Sequence, residues 1–293
     1  MKLFRCLLIA VFLVFAVIPP FDCWCKDSTP PSNVAQAYDS FKPVGSLQEE
    51  RIYDKYVVRI YGRHDMSESS LGILKDGNLV YTLQGHFFSI NSIYEEETGI
   101  HMCDIGTNIT GDGEPNLVIS EWSGGAHCCF DLHIFEIGRN FRHIDTIEAK
   151  HSQNIIFKNI DDSPGFEIIV QDWTFAYWNT CFALSPAPSI ILKYDGKGFS
   201  VAHELMKKKP PESVQIMAKR IKTLQEWEPG LPPVELWKEM LSLIYTGNAS
   251  SAWSLIDRAW PKELTGKEVF ISEFKNMLKE SPYWAEIEKL NCK

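Results

Sequence analysis

The chain predicts a fold that is mainly β with α: an N-terminal open array of blade-like antiparallel sheets followed by a C-terminal helical bundle. Three observations predict it. A stretch built as a turn, a β-branched run and a tryptophan occurs at Asn108 and returns at Asn159, an offset of 51 residues. Hydrophobic periodicity changes from two to helical after Lys207-Lys208-Lys209-Pro210-Pro211. The β-patterned part holds only about 155 residues, whereas a closed ring of four or more blades needs roughly 160 to 200.

The first copy reads NITGDGEPNLVISEWSGGAHCCF from Asn108 to Phe130, and the second NIDDSPGFEIIVQDWTFAYWNTCF from Asn159 to Phe182. Asn116-Leu117-Val118-Ile119 matches Glu167-Ile168-Ile169-Val170, and Glu121-Trp122-Ser123 matches Asp172-Trp173-Thr174. Each copy has a turn rich in Gly, Asn, Asp and Pro that feeds a short strand. One such sheet cannot bury its own apolar face, so neighbouring copies must pack together. An open array leaves an edge exposed, and the helices that follow are its natural cover.

Each loop carries oxygen-bearing side chains at relative positions one, three, five and nine: Asn108, Thr110, Asp112 and Asn116, then Asn159, Asp161, Ser163 and Glu167. Alternate residues of a tight turn can converge on one point, and calcium takes six to eight oxygens there, preferably charged. Among these positions the first loop has one carboxylate and the second has two, with Pro164-Gly165 altering the second turn. Two readings stand. The side chains hold a cation, which this charge count limits to calcium of low affinity, or they cap the turn by hydrogen-bonding their own backbone.

The segment NITGDGEPNLVI resembles the calcium loop of FG-GAP and VCBS-type repeats, found in integrin α-subunit propellers and many exported bacterial proteins. The resemblance covers roughly residues 100 to 205 and implies strand-loop-strand geometry. Family loops begin and end with Asp, where Asn108 and Asn116 stand here. The phrases SEWSGGAHCCF, FALSPAP and LIYTGNASSAWSLIDRAWP resemble a group of exported bacterial proteins of uncharacterised function with a C-terminal helical domain, which implies a similar fold and compartment.

Lys2 and Arg5 precede an apolar run from Cys6 to Ile18, then Pro19-Pro20 and Cys23-Trp24-Cys25. The run is too short for the roughly 20 residues of a membrane helix and reads as a signal peptide over residues 1–25, cleaved before Lys26. The expected compartment is secreted or periplasmic, with no membrane span after cleavage. Residues 26–50 read as a flexible leader, 51–206 as the repeat-bearing β domain and 207–293 as the helical domain. The full chain carries 29 Lys and Arg against 38 Asp and Glu; without residues 1–25 the balance is 27 minus 37, or −10. A phosphate backbone would be repelled, so nucleic acid is not an expected partner.

From Tyr56 onward come the runs YVVRIYG, LGILKDG, NLVYTL and HFFSI, with Lys75-Asp76-Gly77-Asn78 as a hairpin signal. Further strands are expected at Phe130 to Ile137, Phe141 to Ile147, Ser189 to Tyr194 and Phe199 to Leu205. Four helices follow. Met217, Ile221 and Leu224 mark the first; Trp237, Met240, Leu241 and Ile244 mark the second, between Pro232-Pro233 and Gly247. Asn248 is placed to cap a third through Trp260, and Thr265 with Glu268 to form a capping box for a fourth carrying Phe270 and Phe274.

Trp173, Tyr177 and Trp178 could form an aromatic platform for a protein or glycan ligand, or fill a sheet core. Cys103, Cys128, Cys129 and Cys181 read as structural. Opposed Cβ directions on a strand argue against a Cys128–Cys129 bridge and for a long-range one. His127 next to Cys128 makes a poor nucleophile pair for the same reason. The favoured function is an exported non-catalytic binding or scaffold protein; the competing one is an extracytoplasmic hydrolase or carbohydrate-active protein using Glu121, Asp131 and Asp172 across the β domain.

Overall fold

The structure, a computed structural model, describes residues 41–64, 68–90, 103–125, 128–151 and 155–292. The expected signal peptide at residues 1–25 lies outside them. Among the described residues three four-stranded antiparallel sheets follow one another along the chain, each a simple meander. The first joins β1 (Ser46–Tyr53), β2 (Tyr56–Gly62), β3 (Ser69–Lys75) and β4 (Asn78–Gly85). The second joins β5 (Phe87–Ile90), β6 (Asn116–Trp122), β7 (Phe130–Ile137) and β8 (Phe141–Lys150). The third joins β9 (Ile156–Lys158), β10 (Glu167–Gln171), β11 (Ser189–Tyr194) and β12 (Phe199–Val201). The two repeat copies thus supply the second strands, β6 and β10, of consecutive sheets. The first sheet is a third blade whose loop is cut to the tight turn at Asp54, where φ is 49°.

Strand alternation makes the second sheet the middle layer. Leu117, Ile119, Phe135 and Ile137 bury one face against Tyr56, Val58, Ile60, Leu71 and Ile73 of the first sheet. Val118, Leu132, Ile134, Ile144 and Ile147 bury the other in a cluster shared with the third sheet and the helices. Tyr56, 1% exposed, also sends its hydroxyl to the Gly138 carbonyl at 3.1 Å, tying the first sheet to the β7–β8 turn. The hairpin expected at Lys75–Asn78 is present, with Asp76 and Gly77 at φ 50° and 79°. Strand β1 begins at Ser46, inside the stretch read as leader. Phe41 lies within ordinary contact of the Cα side of Gly72 and edge-on to Tyr61.

The helices are α1 (His203–Met206), α2 (Val214–Lys222), α3 (Val234–Tyr245), α4 (Ala249–Ala259), α5 (Lys267–Lys279) and α6 (Trp284–Asn291). Helix α3 buries Leu236, Trp237, Met240, Leu241, Leu243, Ile244 and Tyr245, as a central helix must. One hydrophobic cluster runs from the sheets through α2–α6, so no break in packing marks the 206/207 boundary. The residues from Phe41 onward form one compact unit.

Three element ends differ from expectation. Gly266, not Thr265, starts α5 at φ 93° with no side-chain cap; the Thr265 carbonyl instead accepts from the Gly230 N–H at 3.0 Å. Asn248 does not cap α4 with its side chain, whose Nδ2 donates to the Lys208 carbonyl. The Ala249 N–H goes to Asn291 Oδ1, at the end of α6, at 2.8 Å. Strand β12 stops at Val201 because the chain turns into α1, where Met206 Sδ accepts the buried Ile191 N–H.

Candidate functional site

The two repeat loops meet at one end of the array. In the first, Asn116 is fully buried and its Oδ1 accepts from the backbone of Ile109 at 2.7 Å and of Thr110 at 3.1 Å. In the second, Glu167 is 2% exposed and its Oε2 accepts from the Ile160 N–H at 2.7 Å, the same contact 51 residues later. The loops then touch each other through backbone. The Phe166 N–H donates to the Ile109 carbonyl at 2.9 Å. A Cβ on Gly111 would stand 2.1 Å from the Pro164 carbonyl oxygen, and one on Gly165 2.7 Å from that of Ile109. Both glycines also have φ in the left-handed region, 79° and 96°, so the close approach admits no side chain.

The eight oxygen-bearing side chains do converge, but largely on their own turns. Asn108 Oδ1 accepts from Gly111 and Gly113; Asp112 Oδ1 accepts from the Thr110 hydroxyl at 2.8 Å and the Glu114 N–H at 3.0 Å. Asn159 Nδ2 donates to the carbonyls of Ser163 and Gly165, and Asp161 Oδ1 accepts from the Ser163 N–H. The remaining oxygens of Asp161, Ser163 and Glu167 surround the ammonium of Lys193 from β11. Among the described residues no cluster of three or more His, Cys, Asp or Glu side chains is arranged to hold a metal ion.

At the opposite end of the same strands lies a band of aromatic rings. Trp122 stacks on Phe130 at 12° between planes and 6.0 Å between centroids, with Phe87 at 4.9 Å on its other side. Trp173 stacks on Phe182 at 13° and 5.1 Å, with His151 edge-on to both and Tyr177 5.4 Å from Phe182. The second pair therefore repeats the first. Phe130 pairs in register with Lys150, the residue before His151, which brings the two groups side by side. The rings are half-buried, and Tyr177 and Leu184 are 53% and 58% exposed. Trp178 does not belong to the band: it packs edge-on to Trp237 and against Phe175, Phe270 and Phe274 in the helical core.

Beside that band, Cys128 and Cys129 are joined to one another, Cα atoms 3.1 Å apart. The expectation of no such bridge fails because both residues precede β7 in the β6–β7 connection, where strand alternation does not set their Cβ directions. Cys103 is a buried thiol, its pKa pushed up to about 12 by burial and then by Asp104, so it is not in the long-range bridge expected of these cysteines. Cys181 sits at the head of the 3-10 turn at Phe182–Leu184 and accepts from the Ser185 hydroxyl through its carbonyl. His127 lies outside the described residues.

The three acids separate into two groups. Glu121 and Asp131 are register partners on β6 and β7, on the face toward the first sheet. Glu121 Oε2 meets His133 Nε2 at 3.2 Å; His133 Nδ1 meets the Thr146 hydroxyl at 3.2 Å, which also contacts His143 Nε2 at 3.0 Å. Burial, with smaller contributions from Glu121 and Glu148, pushes the Asp131 carboxyl up to about 6 despite the opposing effect of His133. Burial also lowers the His143 pKa, with His133 next in effect.

Asp172 does something else. Only 2% exposed, its carboxylate accepts from the Thr174 N–H and hydroxyl, from the Tyr245 hydroxyl at 2.6 Å and from the Ser281 hydroxyl. It fastens the third sheet to α3 and to the α5–α6 connection. Burial, and after it the charge of Asp172, drives the Tyr245 hydroxyl pKa well above the ordinary tyrosine value.

Comparison of the chain with protein-family models, curated proteins and solved structures returns no match. The repeat resemblance therefore rests on the loop residues themselves. Sequence reading missed Lys193, His133 and Thr146, Tyr245 and Ser281.

Proposed function

We propose that this chain is an exported, non-catalytic binding protein whose ligand, a glycan or a protein segment, docks on the aromatic band at the Trp122 and Trp173 end of the second and third sheets. The observation that carries this reading is the repeated stacked pair, Trp122–Phe130 and Trp173–Phe182, held half-exposed at nearly the same interplanar angle. Aromatic faces take up apolar ligand faces without needing charge, and rigid rings lose little entropy on contact. Export is supported by the signal-like segment at residues 1–25. No helix among the described residues is long and apolar enough to cross a membrane. Low-affinity calcium at the Asn108 loop belongs to the same reading, as a support of the turn and not of the ligand.

The test is binding of cello- and chito-oligosaccharides, and capture from the native envelope fraction, by wild type and by Tyr177→Ala. Tyr177 is exposed, so its truncation should lower affinity about 5- to 10-fold while leaving the circular dichroism spectrum unchanged. Equal binding by both proteins would remove the platform.

A second reading, a hydrolase or carbohydrate-active enzyme, is favoured by one observation: the Glu121–His133–Thr146 chain beside a carboxyl whose pKa is pushed up to about 6. It predicts turnover of glycoside or ester substrates that Asp131→Asn and Thr146→Val abolish without changing the melting temperature by more than a few degrees.

A further inference from the structure

We propose that the ammonium of Lys193 is the resident cation of the second repeat loop, occupying the point on which the oxygens of that loop converge and closing it to divalent metal. Three of the four oxygen positions of the loop point at Nζ. Asp161 Oδ2 is in direct contact, Ser163 Oγ lies at 2.9 Å and Glu167 Oε1 at 3.5 Å. The fourth, Asn159, is engaged within the turn, donating its Nδ2 to the Ser163 and Gly165 carbonyls.

The two repeats serve as an internal comparison. In the first sheet of the pair, Asn116 is the register partner of Glu136, whose carboxylate is held by Arg142 at 2.8 Å. In the third sheet Ile168 pairs with Leu192, and continuing that register by one residue sets Glu167 opposite Lys193. The loop that ends in a neutral amide thus faces a carboxylate, and the loop that ends in a carboxylate faces a lysine. The charges exchange together. Asp161, in direct contact, holds the ammonium first, and Glu167, which is 2% exposed, adds to it, because a buried carboxylate needs a partner. The contact also lowers the Asp161 pKa, chiefly through its hydrogen bond with Lys193, and raises that of Lys193. A divalent ion at the same point would stand beside a fixed positive charge and would have to displace it.

Melting curves and calcium titration calorimetry on the full chain test this, using wild type, Asp161→Asn, Lys193→Met and Lys193→Met/Asp161→Asn. Wild type should show no calcium-binding heat from this loop, so that Asp161→Asn alone leaves the titration unchanged. Lys193→Met should melt about 2–6 °C lower in chelator, regain at least half of that loss in 1 mM calcium, and lose the regain when Asp161→Asn is added. Calcium binding by wild type that Asp161→Asn removes would overturn the proposal, as would a Lys193→Met protein that melts with wild type in chelator. Should Lys193→Met fail to fold, acylation of wild-type lysines read by mass spectrometry decides. Lys193 reacting at least fivefold more slowly than the neighbouring Lys197 supports the resident cation, and equal rates overturn it.

Discussion

Asp172, which the competing reading placed beside Glu121 and Asp131, is engaged as a fastener of the fold. Its place in the repeat, equivalent to Glu121, suggested a shared site, yet four donors close around it and leave no lone pair for a substrate. Asp172→Ala would strand the Tyr245 and Ser281 hydroxyls in the core, and we expect a loss of about 3 kcal/mol, against about 1–2 for Tyr245→Phe, which leaves the carboxylate three donors. Urea unfolding of both variants and their double mutant measures the coupling. Asp131 makes the opposite kind of prediction. Its folded pKa of about 6 lies above the ordinary 3.8, so the folded state binds the proton more tightly than the unfolded one. Its contribution favours folding at low pH and is lost as pH rises from about 4 to about 6. Asp131→Asn should therefore stabilise the protein at pH 7.5 by about 1–2 kcal/mol and leave it unchanged near pH 4. Chemical denaturation at the two pH values checks it; an equal effect at both would mean that the carboxyl is not perturbed.

The loops are legible as elements because glycine and oxygen-bearing residues fall at fixed spacing, and spacing along one turn is a local property. That the turns are held by their own hydrogen bonds makes a specific expectation for Asp112→Ala. It should destabilise by about 1 kcal/mol even in chelator, since the Thr110 and Glu114 donors lose their acceptor. Chelation of wild type should shift the melting temperature by no more than a few degrees, as a site near 0.1–1 mM adds about 0.4–1.4 kcal/mol at about 1 mM calcium. Gly165→Ala should cost more than either, about 2–3 kcal/mol, because the methyl meets backbone of the neighbouring loop in a left-handed conformation. Calcium-dependent and calcium-free melts of the three proteins rank these effects. The helices were less legible at their ends than in their faces. Buried positions such as Trp237, Met240 and Phe274 follow from periodicity, whereas the cap of α4 comes from Asn291, 42 residues away.

At the scale of the whole molecule, the described residues form three sheets in sequence, and the helices share one hydrophobic cluster with the second and third of them. Phe175 is fully buried between Trp178, Trp237 and Phe274, so the second repeat has no finished core without α3 and α5. A chain ending at Met206 should accordingly expose this cluster, and we expect it to aggregate or to bind an apolar dye while retaining β structure. Solubility and dye fluorescence against the full chain test it; a soluble truncated array with a sharp melt would show two independent domains.

What the sequence determined by itself is what repeats or alternates locally: the two copies, their strands and turns, the hairpin at Asp76-Gly77, and the apolar faces of α2 to α5. These follow from spacing within about ten residues, where the period of a strand or helix decides which side chains share a face. Tertiary structure decided everything that depends on a partner distant in the chain. It brought Lys193 to the second loop, Tyr245 and Ser281 to Asp172, Asn291 to α4, and placed Cys128 and Cys129 off the strand. It also assigned Trp178 to the core while leaving Trp173 and Tyr177 on the band. The physical reason is that a hydrogen bond or ion pair depends on distance in space, which no local period encodes once the sheets have stacked.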